Sequence, residues 1–143
     1  LGIEPSTVLF EFTESGMISY DDSVQRLLDV LNENKVKIAL DDFGTGYSAL
    51  AYLQNLKVNL LKLDRGFTSK AVVNDFDYNL IGHIVDMAHS VGMQVCFEGI
   101  ETEEELRKLK KLKPDYIQGF YYGRPVNKEQ FYEENLKYLE TDK

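Results

Sequence analysis

Acidic residues lie at or just after the ends of four short apolar segments of the sequence. They are Glu11 and Glu14, Asp41 and Asp42, Asp64, and Glu98 and Glu101. Carboxylates gathered in one site repel one another, and they stay ionised together only where a cation lies between them. Because no His or Cys joins the group, the pattern favours the oxygen-preferring ions Mg²⁺ or Mn²⁺ over Zn²⁺. Adjacent aspartates can reach two metal ions, and a metal pair suits phosphodiester hydrolysis.

Lys62 lies between two leucines in the third apolar segment. An ammonium group on the inward face of a strand costs desolvation free energy unless carboxylates surround it. The spacing leaves two interpretations open. Lys62 is either part of a site built from the acids, or half of a structural salt bridge with Asp64 or Glu98.

Each feature also has an ordinary structural explanation. An Asp pair after a strand is more often a helix cap or a turn, and the acidic run from Glu101 to Glu105 suits the solvated first turn of a helix. Gly44 and Gly46 fit a tight loop, since a lone Gly-x-Gly is a weak phosphate-binding signal. Cys96 is expected to serve in packing.

The elements that must position these residues alternate along the chain. Strands are predicted over residues 8–13, 36–40, 60–63, 94–97 and 116–118. Helices are predicted from apolar stripes over residues 24–31 and 81–88, from a capping box at 102–105, and from about residue 127. This alternation predicts an α/β fold with a parallel sheet and right-handed crossovers.

Polar and apolar residues alternate within the predicted strands. On the third strand, Leu61 and Leu63 lie on one face while Lys62 and Asp64 lie on the other. A doubly wound sheet has helices on both faces, so its strands are apolar throughout. The alternation therefore favours a barrel that is apolar towards its helices and polar inside, where the interior ends in a site.

The composition limits the class of protein. The chain has 143 residues, 43% of them hydrophobic, and a formal net charge of −8. This length suits one domain with a core of its own. No apolar run approaches the roughly 20 residues that span a bilayer, and the acidic balance argues against binding to nucleic acid. The single cysteine excludes an internal disulfide and fits a reducing compartment, so we expect a cytoplasmic location without membrane contact from this segment.

Five sequence words stand in order along the chain and together carry a family resemblance. They are FEFTES at residues 10–15, DDFGTGYS at 41–48, LKLDR at 61–65, EGIET at 98–102 and QGF at 118–120. From about residue 8 to residue 131, the chain resembles the EAL-domain family, which are bacterial phosphodiesterases acting on cyclic di-GMP. The resemblance implies a (β/α)₈ TIM-type barrel that hydrolyses cyclic di-GMP to linear pGpG with two Mg²⁺ or Mn²⁺ ions.

The resemblance also implies roles for the residues that match the family's catalytic positions. Glu11, Asp41 and Asp42 match metal ligands. Lys62 matches the lysine that contacts the attacking water, and Glu98 matches the acid beside it. At these five positions, the residues indicated by residue type and spacing are the same as those that the resemblance implies.

Further positions match residues around that centre. Glu14 matches a glutamate that holds the loop after the second strand, and Glu101 and Gln118 match positions that line the site. The loop itself resembles a segment that couples the family's site to dimerisation. Its members are Phe43, Gly44, Thr45 and Gly46.

The Glu-Ala-Leu word that names the family is absent from the sequence, as is the Asn-bearing strand that follows it. By resemblance, both supply metal ligands. A full barrel needs about 200 residues or more, so we expect residues 1–143 to be the C-terminal five β/α units of a partial EAL domain, incomplete without upstream strands. We expect the intact parent protein to be an active phosphodiesterase and the isolated fragment to be inactive. A membrane anchor in the upstream segments of the parent is compatible with this expectation. Open barrel edges predict a homodimer or other self-association.

Two other functions remain open. The first is a receptor or signalling module that binds cyclic di-GMP without cleaving it. The second is a different metal-using barrel, such as an enolase-like enzyme, to which Lys62 and the acids are not foreign. An intact upstream Glu-Ala-Leu word favours the phosphodiesterase over the receptor, whereas activity on a carboxylate substrate favours the enolase-like enzyme.

Overall fold

The computed structural model describes residues 2–13, 22–44 and 57–139, with side chains described as far as residue 134. The strands are β1 (Leu9–Thr13), β2 (Lys37–Phe43), β3 (Leu60–Leu63), β4 (Gln94–Phe97) and β5 (Tyr116–Ile117). The α-helices are α1 (Asp22–Glu33), α2 (Arg65–Val73), α3 (Asp75–Ser90), α4 (Glu103–Leu109) and α5 (Lys128–Leu139). Short 3₁₀ turns lie at Pro5–Thr7 and Lys110–Leu112. The five strands lie where the sequence predicts them.

The five strands form one parallel sheet in the order β1-β2-β3-β4-β5. Each strand therefore lies beside its neighbour in sequence, as consecutive units of a β/α barrel do. Glu11 is aligned with Ala39, and Ala39 with Leu60. Aligned residues of paired strands lie on one face, and so do residues two apart in a strand. This register places Glu11 on the same face as Lys62.

The opposite face of the sheet forms the core. Its side chains come from the three central strands and are at most 1% exposed; they are Ile38, Leu40, Leu61, Leu63, Val95 and Phe97. Burying one such side chain stabilises the fold by about 1.5–3 kcal/mol. Helix residues such as Leu28 of α1 and Ile81 and Val85 of α3 pack against them. The predicted alternation, apolar towards the helices and polar on the other face, is confirmed.

The two best-marked helix ends are confirmed as well. The Thr102 hydroxyl accepts a hydrogen bond from Glu105 N at 3.2 Å, and the Glu105 carboxylate accepts one from Thr102 N at 2.9 Å. This is the capping box that starts α4. Helix α3 ends at Ser90, and Gly92 follows with φ of 80°, a left-handed conformation that glycine adopts without strain.

Helix α2 is not predicted by the sequence pattern. It contains Gly66 and the β-branched pair at its end, residues of low helix propensity, and the buried Thr68 and Ala71 supply tertiary contacts instead. Asp64 caps this helix, because its carboxylate accepts a hydrogen bond from Gly66 N at 2.6 Å. Of the acids grouped in the sequence, Asp64 thus has an identified capping role.

Within the part of the chain that the structure describes, no helix is both long enough and apolar enough to cross a membrane.

Candidate active site

On the polar face of the sheet, three carboxylates surround one ammonium group. Lys62 Nζ lies 3.1 Å from Glu11 Oε2, 3.1 Å from Asp41 Oδ1 and 2.9 Å from Glu98 Oε1. The three acids lie on or directly after β1, β2 and β4, and Lys62 lies on β3. Parallel strands bring their carboxyl ends to one edge of the sheet, and residues far apart in sequence meet there.

Lys62 stays charged in this position although its side chain is only 9% exposed. Burial opposes the charge and by itself lowers the pKa of Lys62, but hydrogen bonds to Glu98, Asp41 and Glu11 outweigh it. The pKa of Lys62 therefore lies above its usual value. A lysine in this state donates hydrogen bonds and does not act as a base.

The pKa of Glu98 lies above the usual range of a glutamate. Burial is the main cause and the negative charges of Asp41 and Glu11 add to it, while the hydrogen bond from Lys62 opposes the shift. A carboxylate with a raised pKa accepts a proton more readily than an exposed one. Glu98 therefore takes up a proton more readily than an ordinary exposed glutamate does.

Asp41 and Asp42 lie in an irregular stretch of β2. The register with β3 shifts between Leu40 and Phe43, and Asp42 has φ of 57°, which is uncommon for a residue other than glycine. Asp42 N donates a hydrogen bond to Asp41 Oδ1 at 3.0 Å. The irregularity lets two neighbouring residues direct their carboxylates into one region, whereas a regular strand alternates its side chains between faces.

Three of the acids satisfy the simplest requirement of a metal site. One carboxylate oxygen each of Asp41, Asp42 and Glu98 lies within 4.8 Å of the other two. Glu11 meets the same group through its contact with Lys62. An all-carboxylate donor set is the type that hard divalent cations prefer.

Glu101 lies outside the Lys62 cluster and forms a separate ion pair. Its carboxylate contacts Arg65 Nη1 of α2 at 2.8 Å, while its backbone N–H donates to Glu105 at 2.8 Å. The Arg65 side chain crosses directly over Gly99, where an added Cβ would lie 2.3 Å from Arg65 Cγ. The sequence pattern does not indicate Arg65 as the partner of Glu101, since α2 itself was not predicted.

Gln118 follows β5 and lines a cavity of about 670 Å³ on the polar face. Glu11, Lys62 and Cys96 line the same cavity. Burial raises the pKa of the Cys96 thiol to about 11, and the charge of Glu98 adds to the effect. The thiol is therefore neutral at physiological pH, which agrees with the expected packing role and argues against a nucleophile.

The loop after β2 is described only at its start. Phe43 is buried in the core. Gly44 has φ of 101°, and an added Cβ there would lie 2.5 Å from the ring of Phe67, so a side chain at this position meets both strain and a clash. The remaining predicted loop residues Thr45 and Gly46, and the predicted loop-holding residue Glu14, lie outside the described residues.

Comparisons with known proteins agree with this geometry. The family description "EAL domain" matches residues 1–125. The chain is 38% identical over 128 residues to the bifunctional diguanylate cyclase/cyclic di-GMP phosphodiesterase MucR of Pseudomonas aeruginosa, covering 90% of this chain and 19% of MucR.

Solved structures show the same fold. A cyclic di-GMP complex of the PaMucR phosphodiesterase is 37% identical, with a TM-score of 0.82, and the match covers 90% of this chain and 52% of that one. A manganese and cyclic di-GMP complex of Klebsiella pneumoniae BlrP1 is 31% identical, with a TM-score of 0.83, covering 87% of this chain and 32% of that one. The chain spans roughly a fifth of the length of the curated relatives it first matches.

Proposed function

The chain belongs to the EAL domain family, and from this premise we propose that the protein carrying it is a metal-dependent cyclic di-GMP phosphodiesterase that produces linear pGpG. One observation carries the proposal. Lys62 lies within hydrogen-bond distance of carboxylates from three different chain segments. This cluster of charges is better explained by a role in hydrolysis than by a role in packing. The names of the relatives support the substrate.

The acids also fit divalent cations. Several carboxylates facing one ammonium leave the site negative, which repels a phosphodiester unless further positive charge is present. Glu11, Asp41 and Asp42 would hold such ions, and we propose Mg²⁺ or Mn²⁺ as the ions, two in the intact domain. Bound ions supply Lewis-acid polarisation of the phosphate and a lower pKa for an attacking water.

Lys62 and Glu98 divide the remaining work. The protonated Lys62 donates a hydrogen bond to the attacking water and orients it, while Glu98 accepts the proton that the water gives up. The oxygen–phosphorus bond then forms in line with the bond to the 3′ oxygen, which breaks, and the leaving oxygen is protonated from solvent. Gln118, which lines the cavity beside Lys62, is proposed to contact the nucleotide, and the same role is proposed for Glu101.

The test is turnover of cyclic di-GMP by the protein expressed from its complete gene, with pGpG separated by chromatography and Mg²⁺ or Mn²⁺ added after removal by a chelator. Glu11→Ala and Asp41→Ala should each abolish the metal-dependent activity. Glu103→Gln is the matched control, because Glu103 is an exposed acid in the first turn of α4 and has no place in the cluster.

Three other outcomes would contradict the proposal in different ways. Binding of cyclic di-GMP without pGpG formation would establish the receptor and refute the enzyme. Turnover of a carboxylate substrate without action on the cyclic dinucleotide would establish the enolase-like alternative. Retained turnover in Asp41→Ala would refute the assignment of the metal ligand.

A further inference from the structure

The end of β4 that carries Glu98 is held by the unit formed from β3 and α2. The backbone N–H of Glu98 donates to Leu63 O at 3.0 Å, and its backbone oxygen lies 2.9 Å from the hydroxyl of Thr68. The Glu98 carboxylate reaches Lys62 at 2.9 Å. Glu98 is thus anchored through the backbone on both sides of the Cα atom from which its carboxylate projects.

The Thr68 hydroxyl is a buried polar group, since the residue is only 1% exposed. Its oxygen also lies 3.2 Å from Arg65 O in the preceding helical turn, but a hydroxyl has one proton to donate and the contact to Glu98 is the shorter. Among the described residues, no other hydrogen bond to the Glu98 carbonyl is found. The buried hydroxyl of Thr68 and the carbonyl of Glu98 therefore satisfy each other.

We propose that Thr68 is a positioning residue, which fixes the carbonyl of Glu98 and thereby the direction in which the Glu98 carboxylate meets Lys62. The proposal rests on the proposed function. The next residue, Gly99, has φ of 71° and lacks the Cβ that limits backbone rotation at other residue types. Without a donor on its oxygen, the peptide between Glu98 and Gly99 loses its hydrogen bond to α2, and the orientation of Glu98 becomes less restricted.

Three variants test the proposal in the protein expressed from its complete gene. Thr68→Val keeps the shape and removes the donor, and it should lower kcat for cyclic di-GMP by about three- to tenfold, the value of one lost hydrogen bond, with little change in KM. Thr68→Ser restores the donor and should restore kcat. Ser69→Ala is the matched control, because among the described residues the exposed Ser69 hydroxyl is hydrogen-bonded only to Gly66 O of its own helix, at 3.5 Å. The kcat of this variant should equal that of the unaltered protein.

A merely structural role predicts a different pattern. Loss of stability without misplacement of Glu98 would change the melting temperature and leave kcat per folded molecule unchanged, which would overturn the proposal. So would equal losses of kcat in Thr68→Val and Thr68→Ser. Thr68→Ala replaces Thr68→Val if the latter does not fold.

A readout without turnover separates this proposal from the proposed function. The ¹³C resonance of the Glu98 carboxyl, identified by its absence in Glu98→Gln, should shift in Thr68→Val and keep its position in Thr68→Ser and Ser69→Ala. An unaltered protein that does not cleave cyclic di-GMP refutes the phosphodiesterase, while a shifted resonance still supports the positioning role. An unshifted resonance in Thr68→Val refutes the positioning role whatever the activity.

Discussion

The charge and orientation of the Lys62 ammonium group depend on how many carboxylates contact it. A single carboxylate would make an ordinary ion pair, in which desolvation of both charges offsets much of the attraction. Three carboxylates at 2.9–3.1 Å keep the ammonium charged and direct its three protons. The residue therefore serves as a fixed donor at the end of the sheet.

Two substitutions of Lys62 should distinguish the effect of its charge from the effect of its hydrogen-bond geometry. Lys62→Met removes the donor and should lower kcat for cyclic di-GMP by about 10²- to 10³-fold, the usual effect of losing one electrostatic contact to the reacting atoms. Lys62→Arg keeps the charge but should not restore the rate, because the planar guanidinium cannot direct its protons as an ammonium does. Steady-state kinetics, with circular dichroism to verify folding, measure this. Lys70→Met, an exposed lysine of α2, is the control, and a rate near normal in Lys62→Met would contradict the role.

At the scale of the elements, Asp115 joins three of them at the end of the sheet away from Lys62. Its carboxylate accepts a hydrogen bond from Val95 N of β4 at 2.7 Å and contacts His89 Nε2 of α3 at 2.8 Å, directly before β5 begins. Partial burial opposes its charge, but the hydrogen bonds from Val95 and His89 prevail and hold the pKa of Asp115 below its usual value.

Because the pKa of Asp115 is lower in the folded chain than in the unfolded chain, the free energy of unfolding depends on pH. The contribution of Asp115 is present above the unfolded pKa of about 3.9 and is lost as the pH falls through the lower folded value. Asp115→Asn should cost about 1 kcal/mol of unfolding free energy at neutral pH, and this difference from the unaltered chain should vanish in strong acid. Urea unfolding across the acid range measures it, with Asp86→Asn, an exposed acid of α3, as the control. A difference that did not change with pH would contradict the linkage.

The same elements show which parts of the fold local sequence can predict. The strands and the capping box of α4 are predicted because alternation and caps are local signals. Helix α2 and the irregular stretch at Asp42 are not, since both depend on contacts between distant segments, such as Thr68 with Glu98. For the site, the acids and Lys62 are predictable from their positions at strand ends, whereas Arg65 and Thr68 become visible only once α2 is in place.

At the scale of the whole molecule, the sheet has two outer strands. Within the described residues, β1 and β5 each pair with one neighbour only. Apolar side chains near these edges are exposed, among them Leu9 at 39%, Phe10 at 43% and Tyr116 at 50%. The cavity of about 670 Å³ lies on the polar face, and residues of β1 and β5 line it from opposite sides. In a closed barrel further strands would cover both edges and this cavity.

The open edges predict how the 143-residue chain behaves when it is prepared alone. Strands with an uncovered side and exposed apolar residues pair with other copies, so the chain should elute as a dimer or larger species in size-exclusion chromatography with light scattering. Phe10→Lys places a charge on the exposed edge and should shift the population towards the monomer, whereas Phe76→Lys, at an exposed position of α3, should not. The isolated chain should also lack turnover, because we expect further metal ligands from residues outside it. A stable monomer that hydrolyses cyclic di-GMP would show that these five units form a complete enzyme.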